Sequence, residues 1–223
     1  MINSANNRYS IIFDMDGVVI NNFGYHLTAW ETFCKNHGII RTKKELLAEF
    51  GGKNKDIFSR MFNRQLDSDE ILKLEMEKET LYRDLYRPYI QEVSGLTNLL
   101  VELKKENIQV GLATSAPTPN VDMIIDRLNL RPFFSAITDA SMVINGKPDP
   151  EIFIKCAQSL QTNPAQCIVF EDSVSGILAA KAAGMKVIGV LTTHTQIELP
   201  PADYYITDFT GIDAQVLSKI SQL

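Results

Sequence analysis

The chain has 223 residues, 45% of them hydrophobic and 22% charged, with a net charge of −5. That composition is ordinary for a folded globular protein, and the length suits one large domain or a core with a modest insert. The acidic balance argues against nucleic acid as a partner, and no stretch approaches the ~18 apolar residues of a membrane span, whereas a small anionic substrate stays open because a local lysine cluster can outweigh a mildly acidic surface.

Residues 1–8 read as a loose polar lead. Ile11 to Phe13 is an apolar run that predicts a buried strand. It ends in Asp14, Asp16 and Gly17. From about 22 to 91 the pattern is all-helical. Over Tyr25 to His37, the residues Trp30, Phe33, Cys34 and His37 share one helix face. Thr42 and Glu45 have capping-box spacing ahead of Leu46, Leu47 and Phe50, and Gly51-Gly52 breaks that helix. Asn54 to Phe62 predicts a short helix. Asp67 opens a longer one with a stripe of Ile71, Leu74, Lys78, Leu81, Tyr82 and Leu85, which Pro88 stops.

From about 92 the chain alternates. Helices are predicted over Leu96–Glu106, Val121–Leu130, Pro150–Leu160, Val174–Ala183 and Asp213–Ser221. Strands are predicted over Gln109–Ala113, Ala136–Thr138, Cys167–Phe170, Lys186–Leu191 and Tyr204–Ile206. Such alternation implies a Rossmann-like, doubly wound parallel sheet with helices on both faces. The expected organisation is an α/β core of residues 1–21 and 92–223 with an all-helical insert at 22–91, carried on linkers near 21–24 and 89–94. Cys34, Cys156 and Cys167 form no CxxC pair and read as buried free thiols in a reducing compartment. The polar opening, MINSANNRYS, predicts no secretory leader and a cytoplasmic protein.

Four strand ends carry polar groups, and ligands bind at the carboxyl ends of strands in such sheets. Two acids one residue apart, Asp14 and Asp16, repel unless a cation or proton intervenes; a hard cation such as Mg2+ suits them, and a solvated turn is the plain alternative. Thr114-Ser115 follows the second strand as an anion cradle or as a simple helix cap. Lys147 stands between two turn signals and can offset phosphate charge. Glu171-Asp172-Ser173 again places acids after an apolar strand, with capping by Asp172 or Ser173 as the alternative.

This order of motifs, with FDMDGVV, GKPDPEIF and FEDSVSGILAAKAAGM, closely resembles the haloacid-dehalogenase-like superfamily and its β-phosphoglucomutase-like phosphatases and mutases. The insert is similar to that subgroup's four-helix cap. The resemblance implies that Asp14 is the nucleophile that becomes an aspartyl-phosphate. It implies that Asp16 is the general acid and base. Thr114 would bind phosphate beside the Ser115 N–H, and Lys147 would bridge the phosphoryl oxygens and Asp14. Mg2+ would be held by Asp14, Asp172 and the Asp16 carbonyl, with Glu171 next to it. The dehalogenases of the superfamily lack an acid at the Asp16 position, so its presence favours phosphoryl chemistry.

In the insert, His26 matches the subgroup's hinge histidine, while His37 and His194 read as structural or surface residues. Lys53 and Lys55 follow the glycine break, and the mutases carry an arginine where Lys55 stands. Lys78 aligns with a cap lysine that faces the site; a snorkelling lysine is the alternative. The chain departs from many relatives at Asn21, Asn22 and Gly24, where acidic residues or Ser/Thr are usual. The expected activity is a Mg2+-dependent phosphatase acting as a monomer on a small, sugar-like phosphorylated metabolite, with no nucleic-acid or membrane partner. A phosphohexose mutase and an inorganic pyrophosphatase are the alternatives. A decayed, non-catalytic binding module would have lost Asp14, Asp16, Lys147 or Asp172, and all four are present.

Overall fold

The computed structural model describes residues 9–49 and 54–222. The expected polar lead, the Gly51-Gly52 break and Lys53 lie outside them. Six parallel strands form one sheet: β1 (Ser10–Phe13), β2 (Val110–Ala113), β3 (Ala136–Thr138), β4 (Cys167–Glu171), β5 (Lys186–Val190) and β6 (Tyr204–Ile206). Their order is β3-β2-β1-β4-β5-β6, the doubly wound arrangement in which the chain reverses direction beside β1. β1 pairs with β2 through Ile11↔Val110 and with β4 through Ile12↔Val169.

Alternation along β1 explains the two helical layers. Successive strand side chains point to opposite faces. Ile11 and Phe13 enter one core cluster, with Leu99, Ile124 and Leu217 from helices α5 (Leu96–Lys105), α6 (Thr118–Arg127) and α9 (Ala214–Ser221). Ile12 enters the other, with Phe153 and Ile177 from α7 (Glu151–Ser159) and α8 (Val174–Ala182). Phe13 stacks on Phe170 with centroids 4.8 Å apart, tying the two central strands on one face. A fully buried ring of this size contributes about 1.5–3 kcal/mol.

Between β1 and β2 run α1 (Phe23–Asn36), α2 (Lys43–Glu49), α3 (Asn54–Phe62) and α4 (Ser68–Tyr86). They enclose a cluster of their own around Trp30, Phe33, Phe58 and Met61. Both expected N-terminal signals form. The Thr42 N–H donates to Glu45 at 2.7 Å, and Asp67 closes a capping box with Glu70. The inner ends of α1 and α4 do not stay apart from the sheet: Ala29, Tyr82 and Tyr86 join the cluster around Ile11 and Phe13.

Three details differ from the sequence reading. Helix α6 starts at Thr118 and ends at Arg127 rather than spanning Val121–Leu130. Pro119 lies in its first turn, where a missing N–H costs nothing, and Asn129 turns left-handed at φ 55° beyond its end. Leu85, placed on the buried stripe of α4, is 37% exposed, and Tyr86 is buried instead. His37 caps α1 instead of lying within it: its ring still packs on Phe33 with centroids 4.4 Å apart, while Nε2 pairs with Glu77 at 2.9 Å.

Candidate active site

The site begins at the turn after β1. The Asp14 N–H donates to the Phe170 carbonyl at 3.0 Å, which continues the ladder and fixes the carboxylate at the strand end. The Val19 and Ile20 N–H groups both reach back to the Met15 carbonyl. Gly17 completes this turn at φ +83°, and a Cβ there would lie 2.0 Å from Asp172 Oδ2. Glycine is therefore required both for the backbone shape and for the close approach of Asp172.

Lys147 is the hub. Its ammonium donates to Asp14 Oδ1 at 2.7 Å and Glu171 Oε1 at 2.6 Å, and it lies over the Phe153 ring at 4.7 Å. The other Glu171 oxygen accepts from the Ser173 N–H at 2.8 Å and the Ser173 hydroxyl at 2.9 Å. That hydroxyl also caps α8 by accepting from the Gly176 N–H. Gly176 is the second close approach, because a Cβ on it would sit 1.7 Å from Glu171 Oε1. Ligand atoms of Asp14, Glu171 and Asp172 lie within 4.8 Å of one another, and all three residues are buried.

One ammonium faces three buried carboxylates, and the titration of the group reflects this. Burial pushes Asp14 up to about 7, against the attraction of Lys147 and with added repulsion from Glu171 and Asp16. Asp172 is raised well above its ordinary value by burial, then by Glu171 and Asp14. Burial works against the Lys147 charge, but Asp14 and Glu171 outweigh it and raise its pKa. Close, dry, like-charged carboxylates of this kind are relieved by a divalent cation, so the oxygen donor set fits one.

Asp16 is turned away from this cluster. Its Oδ1 accepts from the Asn22 amide at 2.6 Å and lies 3.8 Å from His26 Nε2. Asn22 also donates to the Tyr82 hydroxyl at 2.5 Å. The His26 ring stacks on Tyr82 at 3.8 Å, and its Nδ1 is 3.0 Å from Lys78 Nζ. Lys78 is only 2% exposed; it pairs with Glu79 at 2.8 Å and lies over the Trp30 ring. Glu79 accepts in turn from Asn54 on α3 and Asn120 on α6, and Asn120 accepts from Arg83. Thr114 is buried at the end of β2, and its hydroxyl oxygen accepts from the Ala116 N–H. Ser115 and Lys55 line one cleft, with Lys55 exposed and its Nζ 3.4 Å from the Ile144 carbonyl.

Asp14, Lys147, Glu171 and Asp172 thus meet in one cluster, and His26 and Lys78 meet beside Asp16. Several contacts escaped the sequence reading. Asn22, Glu79 and Asn120 are buried polar residues around the site. Thr193 donates its hydroxyl to the Asp172 carboxylate. His194, expected as a structural or surface residue, has Nδ1 3.1 Å from the Asp172 carbonyl. The signal that could have found Thr193 and His194 is their place at the carboxyl end of β5.

The profile of the haloacid dehalogenase-like hydrolases matches residues 11–190. The chain belongs to this family. It is 34% identical over 197 residues to a β-phosphoglucomutase of Bacillus subtilis, covering 81% of this chain and 82% of that one. It is 30% identical over 202 residues to the validoxylamine A 7'-phosphate phosphatase of Streptomyces hygroscopicus subsp. limoneus, covering 90% and 94%. Among solved structures, a family IA haloacid dehalogenase-like hydrolase from Entamoeba histolytica superposes with a TM-score of 0.87 at 28% identity, covering 96% and 100%. The chain is therefore a hydrolase of this superfamily whose relatives include phosphatases, and it shares their α/β fold.

Proposed function

We propose that this haloacid dehalogenase-like hydrolase is a Mg2+-dependent phosphatase of small, sugar-like phosphate monoesters. The observation that carries the reading is the separation of the two acids after β1. Asp14 is buried against Lys147, while Asp16 faces the helices, held by Asn22 and near His26.

In this reading an Asp14 carboxylate oxygen attacks phosphorus, the bond to the leaving oxygen breaks, and Asp16 delivers its proton to that oxygen. Asp16 then takes a proton from water, whose oxygen attacks the aspartyl-phosphate and frees phosphate and Asp14. Lys147 offsets the repulsion between Asp14 and the incoming anion. Thr114 and the Ser115 N–H receive phosphoryl oxygens as β2 gives way to its loop. Asp14, Asp172 and the Asp16 carbonyl would hold Mg2+, with Glu171 fixed beside them by Lys147 and Ser173. The ion supplies positive charge to the phosphoryl oxygens.

The helices at 22–91 act here as a cap domain over the core of 1–21 and 92–223, with His26 and Lys55 on the substrate side and Lys78, expected there too, buried behind His26 against Glu79. A cap that closes excludes water and completes the site. The separate cluster around Phe33 and Phe58 supports that division. The protein works as a cytoplasmic monomer in this reading. Among the described residues, no helix is long and apolar enough to cross a membrane.

A mutase remains as the second reading, supported by the 34% identity to a β-phosphoglucomutase. The deciding experiment is phosphate release from a panel of sugar phosphates, nucleotides and pyrophosphate, with and without Mg2+, alongside detection of isomerised sugar phosphate. Release that depends on Mg2+ carries the phosphatase. Isomerised product with little free phosphate, stimulated by a sugar bisphosphate, would replace it with the mutase.

A further inference from the structure

Beside Ser115, between α3 and α4 and the segments after β2 and β3, lies a cleft of about 270 Å³. It lies near the small end of ligand pockets, which run from about 300 to 1,000 Å³, so it suits a group the size of one monosaccharide. Its polar lining comes from Asn54, Lys55, Glu75, Ser115 and Ser141. Lys78 is not part of it, being buried between His26 and Glu79. Lys55 and Glu75 are the charged residues lining the cleft among the described residues, and they offset one another.

Glu75 is a half-buried carboxylate on α4 whose Oε1 accepts from Asn54 Nδ2 at 3.1 Å. Among the described residues no other hydrogen bond reaches it. A carboxylate accepts about four hydrogens, so acceptor capacity remains on the cleft side of Asn54. We propose that Glu75 is the specificity residue for the leaving group: its carboxylate takes hydrogens from hydroxyl or ammonium groups of a monosaccharide-sized moiety and repels a second phosphate. This rests on the phosphatase reading and adds what the enzyme selects.

The test compares wild type with Glu75→Gln on four probes: a hexose 6-phosphate, its 2-amino analogue, a hexose 1,6-bisphosphate and phenyl phosphate. The readout is the ratio of kcat/KM values, which cancels any difference in the folded fraction; Glu75→Ala repeats it. In the variant the ratio of sugar monophosphate to phenyl phosphate should fall at least about tenfold, as expected for a lost charge-assisted hydrogen bond. The ratio of bisphosphate to monophosphate should rise by a similar factor. A larger fall for the amino sugar identifies ammonium as the recognised group, and equal falls identify hydroxyl. Ratios within twofold of wild type, with phosphate still released, would overturn the role of Glu75 and leave the phosphatase standing. No release from any probe by the wild type overturns both.

Discussion

Lys78 Nζ lies 3.0 Å from His26 Nδ1. An ammonium only donates, so Nδ1 is the acceptor and the neutral ring carries its proton on Nε2. Among the described residues that nitrogen has no hydrogen-bond partner, and it faces Asp16 Oδ1 at 3.8 Å. A short inward shift of α1 would close the gap, and in the proposed mechanism His26 would then orient Asp16. His26→Ala should lower kcat roughly tenfold or more, short of the 10²–10⁴-fold typical for losing the acid itself. It should also change the pH profile of kcat while KM moves little. An unaltered kcat and pH profile would reduce His26 to a packing role on Tyr82.

Asp14→Asn should abolish turnover and yet stabilise the metal-free protein. Burial raises the Asp14 pKa to about 7 from 3.8. A raised carboxyl pKa means that ionisation opposes folding as pH climbs through that window. Metal-free Asp14→Asn should therefore melt higher than metal-free wild type at pH 8, and Mg2+ should raise the melting temperature of wild type by the larger amount. Retained turnover would sink the covalent step. A lower melting temperature would mean that Lys147 needs Asp14 more than the neighbouring acids are relieved by its loss.

Stability at low pH should depend on Glu79. Burial opposes its charge, but the Lys78 ammonium, with hydrogen bonds from Lys78 and Asn120, overcomes this and holds its carboxyl at about 2, against an ordinary 4.5. A depressed carboxyl contributes stability that is complete above the unfolded value and lost as pH falls through the folded one. The shift is worth about 3 kcal/mol at neutral pH. Denaturant unfolding of wild type and Glu79→Gln should differ most at pH 6, and the gap should narrow steadily toward pH 3. A gap that stays constant across that range would rule out the ion pair as its source.

Gly176→Ala should disable the site from outside it. The new methyl group would occupy the place of the Glu171 carboxylate, which must swing away and leave Lys147 with Asp14. We expect a loss of about 1–3 kcal/mol in stability, as for other overpacked positions, and a fall in kcat of about tenfold or more. Chemical unfolding and steady-state rates measured on the same preparation check both. Wild-type rates would show that the Lys147–Glu171 contact is dispensable.

The strand ends were legible because each joins a short apolar run to a polar turn, and four such joins in one α/β chain converge on one edge of the sheet. Asp14, Glu171 and Asp172 could be gathered on that rule, whereas Lys147 lies in the loop well past the end of β3 at Thr138 and was marked by the GKPDP turn and the resemblance it carries. The surroundings of Asp16 could not. Asn22 stands in the sequence only as a departure from many relatives in a loop, whereas its amide bridges Asp16 and Tyr82, residues on different elements. The contact between Glu79 and Asn120 spans 41 positions and leaves no local periodicity. Lys78 did leave a trace, as a charge on an apolar stripe, but its partner is the adjacent Glu79 rather than solvent. The early start of α6 was hidden because a proline usually marks a boundary, and only the backbone shows that Pro119 falls in a first turn.

The two passages between sheet and helices are themselves joined. Ile20 bridges to Glu92, and the Val93 N–H donates to the Val19 carbonyl. Entry and exit therefore form a single stem rather than two separate strings. A segment that leaves and re-enters through one stem can vary in its outer part, around Trp30, Phe33 and Phe58, while the six strands keep their register and the cluster of Asp14, Lys147, Glu171 and Asp172 keeps its geometry.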